Sequence, residues 1–127
     1  MSYPSYDLTI NRLFEMNVSR CLKWHPNGGI QSWSPLEWSG AMCGESGEAA
    51  NAAKKLKRLT CDMQSINEGS RHITTIEVAQ HEVAKECADT ILYALLLMKS
   101  VGVENPESII REVFNKKSVE YGFPEVV

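Results

Sequence analysis

The stretch GESGEAANAAKKLKR, residues 44–58, decides how the chain is read. It reads as the interior of a helix and places Glu45 and Glu48 among small apolar residues. Stepping outward from it by alternating fours and threes gives Trp38, Met42, Glu45, Ala49, Ala52, Leu56 and Leu59, an apolar seam broken by Glu45. Glu48 follows three residues later, which sets its Cβ about 5–6 Å from that of Glu45 on one helix surface. Two carboxylates beside a core stripe are a physical problem, because partly buried like charges are costly unless something compensates them.

The rest of the chain is punctuated into further helices. Upstream, Ser34, Pro35 and Glu37 have the spacing of a capping box with a proline start, so this acidic helix opens at Pro35 and runs to about Arg58. A first amphipathic helix begins after Asp7 and buries Leu8, Leu13, Phe14, Val18 and Leu22; it stops at the turn-forming HPNGG of residues 25–29. Residues 60–73 are polar and aperiodic, long enough to be expected as a functional or mobile connection. Thr74 and Glu77 repeat the capping-box spacing and open a third helix that passes through ECADTILYALLLMKSVG and ends near Gly102. Asn105 and Pro106 open a fourth, which closes around Tyr121 with Gly122 as its cap. No segment alternates like a strand, so the expected class is all-α, a bundle.

Length and composition bound the function. A chain of 127 residues suits one domain, 1–127, with a real core. A formal net charge of −3 offers no general attraction to polyanions, so nucleic acid is not an expected partner. The longest apolar run, ILYALLLM, is far too short to cross a membrane, and MSYPSYDLTINRLFEM lacks the basic start and apolar run of a signal peptide. The expectation is a cytoplasmic protein without a membrane partner. Cys21, Cys43, Cys61 and Cys87 include no CxxC pair, which leaves a zinc cage or a disulfide framework without support.

In the third helix the same arithmetic puts Glu82, Glu86, Asp89, Tyr93 and Leu96 on one stripe. Two helices therefore each carry an acidic pair at i,i+3. Such pairs are common on solvated faces, and the chain holds 16 acidic residues, so either pair alone says little. Together, each at the edge of an apolar face, they form a set of oxygen donors suited to a hard cation, Mg²⁺ or Mn²⁺, rather than zinc. Lys55, seven residues beyond Glu48 on nearly the same face, is a candidate to meet an anion.

GESGEAANAAKKLKR, followed by ECADTILY and then FNKKSVEYGFPE, resembles the MazG-like all-α nucleoside triphosphate pyrophosphohydrolases, over roughly Trp24 to Glu125. The resemblance implies a four-helix bundle-like fold in which Glu45, Glu48, Glu86 and Asp89 bind magnesium. It implies hydrolysis of a (d)NTP between the α and β phosphates, with Glu45 or Glu48 handling the proton. It further implies phosphate-binding side chains in the C-terminal stretch, with Lys116 favoured and Asn115 beside it, and base-contacting aromatics at Trp33 and Tyr93. Gly44 stands where the fuller motif has its first glutamate, a variant similar to the phage-encoded members. For these the location is the host cytoplasm. The substrate stays open between a house-cleaning range, dUTP, and a purine such as dGTP for modified-purine synthesis. A homodimer or homotetramer is implied as well. The competing reading is a non-catalytic helical regulatory or assembly module whose acidic stripes are salt-bridged by Lys54, Lys55 or Lys85.

Overall fold

The computed structural model describes residues 3–61 and 75–127. Four α-helices account for the regular structure there, in the order α1 (Ile10–Trp24), α2 (Pro35–Thr60), α3 (Ile76–Ser100) and α4 (Pro106–Tyr121), with no strand among the described residues. The class is all-α, as periodicity predicts. Among the described residues no helix is long and apolar enough to cross a membrane. The chain forms two compact units, one built from the residues up to Ser34 together with Leu95–Val127, the other from Pro35–Ala94.

In the first unit, Thr9 caps α1 by accepting a hydrogen bond from the Arg12 amide at 3.0 Å. This start falls later than the sequence suggests, so Leu8 precedes the helix and is 78% exposed. The buried stripe is Phe14, Asn17 and Cys21 rather than one ending at Leu22, which is 56% exposed. The polar Asn17 takes a core position, where its amide oxygen accepts from Arg20 at 3.3 Å. Hydropathy alone passes over such a residue. The HPNGG turn then leads into a single 3₁₀ turn, Gly29–Ser32, that the sequence pattern does not announce. Glycine suits the first position of that turn. Gly29 sits at φ +55, and a Cβ on it would come within 3.2 Å of Leu22 Cδ1.

The N-termini of α1 and α4 cap each other. The Asn11 amide donates to Glu107 Oε1 at 2.9 Å and the Glu107 amide donates to Asn11 Oδ1 at 3.1 Å, while Asn11 Nδ2 reaches Asn105 Oδ1 at 3.0 Å. Each side chain satisfies an amide that the other helix leaves without an intrahelical acceptor. Asn105 also caps its own helix through Ser108, with Pro106 in the first turn as expected. At the far end Gly122 takes the left-handed conformation (φ 70), and the amides of Gly122 and Phe123 bond back to Val119 and Ser118.

In the second unit Pro35 starts α2 as read, and the helix extends to Thr60. The capping position of α3 is Thr75, whose hydroxyl accepts the Val78 amide at 3.2 Å; the expected cap, Thr74, lies outside the described residues, as does most of the 60–73 connection. Among the described residues the buried apolar side chains are Phe14, Cys21, Leu95 and Leu96 in the first unit, Trp38 and Ala79 in the second.

Candidate functional site

α2 and α3 carry the carboxylates, and both belong to the second unit over the relevant turns. One carboxylate oxygen from each of Glu45, Glu48 and Glu86 lies within 4.8 Å of the other two. The two acidic pairs, separated by some forty residues of sequence, thus meet through three of their four members. Asp89 is outside this trio, although its charge reaches both Glu45 and Glu86. Glu45 and Glu86 are half-buried, Glu48 and Asp89 exposed.

The electrostatics follow from that crowding. The Glu45 carboxyl is raised above its ordinary range, first by burial, then by the charges of Glu48 and Asp89, a hydrogen bond with Glu48, and the charge of Glu86. Glu86 is raised too, by burial, then by the charge of Glu48 and a hydrogen bond with it, then by Asp89 and Glu82. Glu48 is the shared neighbour of both. Among the described residues none of the four carboxylates is in an ion pair, whereas Glu82 is held by Lys85 at 3.1 Å.

A cleft of about 410 Å³ adjoins the trio. Glu48, Asn51, Ala52 and Lys55 line it from α2, and Ala79, Glu82 and Glu86 from α3. Lys55 is where its helical register puts it. Asn51 and Glu82 are lining residues that the sequence reading does not single out as site residues; the available signal for Asn51 is its spacing, three after Glu48 and four before Lys55. Gly44 has room for a side chain, since an added Cβ meets nothing within 4 Å, so the departure from the fuller acidic motif is not imposed by packing.

The remaining predicted contacts have other surroundings. Tyr93 packs on the fully buried Trp38, ring centroids 6.4 Å apart. Trp33, Asn115 and Lys116 belong to the first unit. Trp33 meets His25 edge-on at 5.0 Å. The Asn115 carboxamide is engaged by the Val127 backbone, accepting from its amide and donating to its carbonyl, both at 2.9 Å. Lys116 is exposed, and it is Lys117 that borders a second cavity, about 600 Å³, walled by Met98, Ile110, Val113, Phe114 and Phe123. That cavity is almost wholly apolar, a poor match for a phosphate chain.

No protein-family model, curated protein or solved structure matches the chain. The chemistry therefore rests on the residues. Three oxygen donors close together, charged alike and without a cationic partner among the described residues, fit a hard divalent ion by type, and such an ion would relieve their repulsion.

Proposed function

We propose that the chain is a divalent-metal-dependent nucleoside triphosphate pyrophosphohydrolase, cutting a (d)NTP between the α and β phosphates to give a (d)NMP and pyrophosphate. One observation carries the reading: carboxylates from two separate motifs, Glu45 and Glu48 on α2 and Glu86 on α3, converge within 4.8 Å beside a cleft that also holds Lys55, which is in no ion pair among the described residues. The resemblance of the same motifs to MazG-like enzymes supports it, and brings with it that family's bundle-like fold, a homodimer or homotetramer, and a purine preference such as dGTP in a phage-type member.

In this reading Glu45, Glu48 and Glu86 hold Mg²⁺, or Mn²⁺ in its place, with Asp89 adding negative charge or a further ligand. Bound there, the ion supplies the positive charge and Lewis acidity that let an acidic site accept a triphosphate. Lys55 pairs with phosphate oxygens from the α2 side of the cleft. Glu45 or Glu48, through a carboxylate oxygen that the ion leaves free, would take a proton from the attacking water.

The competing structural reading requires the acidic stripes to be neutralised by lysines. Lys85 does pair with Glu82 on the α3 stripe, but among the described residues neither Lys54 nor Lys55 is in an ion pair, and no lysine meets Glu45, Glu48, Glu86 or Asp89. That weighs against it. The test is to incubate the protein with the common NTPs and dNTPs and Mg²⁺, and to separate products by ion-exchange chromatography. Monophosphate with pyrophosphate is the expected outcome; diphosphate with orthophosphate, or no product from any substrate, overturns the proposal.

A further inference from the structure

Asn51 is an anomaly in its own helix. It interrupts the run Ala49, Ala50, Asn51, Ala52, Ala53, in which every other position holds the best helix former. Asparagine in a helix interior lowers stability, because its carboxamide competes for the backbone in non-helical conformations. Here, among the described residues, the Asn51 side chain makes no hydrogen bond, and it is exposed on the wall of the cleft. Its helical position lies one turn beyond Glu48 and one turn before Lys55, both of which line the same wall.

The chemistry of that wall grades from anionic to cationic. Glu48 and Glu86 stand at one end, where a cation would be held, and Lys55 stands at the other, free of any ion pair among the described residues. With a divalent ion held at the carboxylate end, both ends of the wall present positive charge to a ligand that is anionic along its length. A polyphosphate chain has that character. Between the two charged ends its oxygens need a neutral donor, since a carboxylate would repel them and a second lysine would neutralise Glu48. A carboxamide supplies two N–H donors without changing the net charge.

Resting on the pyrophosphohydrolase reading and deepening it, we infer that Asn51 is a substrate-binding residue, donating to the phosphate chain of the nucleotide between the carboxylate-held ion and Lys55. Local helix stability is given up at this position for that contact.

The experiment uses the full chain and its Asn51→Ala and Asn51→Asp variants. Binding of inorganic tripolyphosphate in the presence of Mg²⁺ is measured by titration calorimetry, alongside the thermal midpoint without ligand. Asn51→Ala is expected to bind about tenfold more weakly, the scale of one hydrogen bond to a charged group, with a midpoint equal to or above that of the original chain. Asn51→Asp should bind more weakly still. An affinity of Asn51→Ala within twofold of the original overturns the inference, and so does an original chain that binds no tripolyphosphate. A chain that binds it as expected but releases no monophosphate from any nucleotide leaves the role of Asn51 standing and removes the pyrophosphohydrolase reading.

Discussion

Replacing Glu48 with glutamine keeps the side chain's shape and removes one charge from the centre of the trio. Two effects of opposite sign should follow. Without metal, Glu45 and Glu86 lose the neighbour whose charge, after burial, contributes most to raising both of them, so repulsion at neutral pH falls. The metal-free variant should then be at least as stable as the original. With metal the sign reverses. A full carboxylate charge about 2 Å from a divalent ion is worth ~4 kcal/mol even at the dielectric of bulk water. The cost of dehydrating Mg²⁺ erodes part of that, which leaves an expected weakening of about 100-fold. Suppose Mg²⁺ is supplied at about 100 times the dissociation constant of the original chain. It then stabilises that chain by about 2.7 kcal/mol but the variant by only ~0.4 kcal/mol. At roughly 4 °C per kcal/mol for a chain of this size, a shift of about 11 °C shrinks to about 2 °C. Differential scanning fluorimetry in EDTA and in Mg²⁺ reads both terms, and turnover of the preferred nucleotide should fall at least 100-fold in parallel. A Glu48→Gln chain that is less stable than the original in EDTA, yet gains as much from Mg²⁺, would refute the argument that this carboxylate is a crowded ligand rather than a surface charge.

The pH dependence of the metal-free protein has a definite sign. Glu45 and Glu86 are raised in the folded state, so the stability they contribute is fully present below the ordinary glutamate pKa of about 4.3 and is lost as pH climbs through their raised values. In EDTA the thermal midpoint of the original chain, measured relative to a Glu45→Gln/Glu86→Gln double variant, should decline from pH 4 toward neutrality, and Mg²⁺ should flatten the decline; a difference independent of pH would contradict it. In the other unit, Asn11→Ala removes two of the three hydrogen bonds that join the starts of α1 and α4 and leaves the Glu107 amide without its acceptor. Urea unfolding should register a loss of about 1–3 kcal/mol, and an unchanged midpoint would show those amides to be equally well satisfied by water.

Local chemistry accounts for what was legible in the chain. The bounds of α4 follow from Asn105, Pro106 and Gly122, because a cap, a fixed φ and a left-handed residue act within one turn of the backbone. The acidic trio was legible in part for the same reason: helical spacing says which side chains share a face. It does not say how far a face is from its neighbour, which is why Asp89, in register with Glu86, falls outside the cluster while Glu45 joins it. Asn51 went unnoticed because a neutral amide among alanines carries no charge signal; only the cleft shows that it shares a wall with Glu48 and Lys55.

By itself, then, the amino-acid order determined an all-helical chain and a set of paired carboxylates on two of its helices, since propensity, capping and periodicity are properties of a few successive residues. Tertiary structure decided the rest. It chose Asn17 over Leu22 for the buried stripe of α1, made the α1 and α4 termini cap each other across 96 positions, and drew Glu86 to Glu45 and Glu48. Each of these depends on how two surfaces meet, and the free energy of that meeting is summed over packing that no single segment contains.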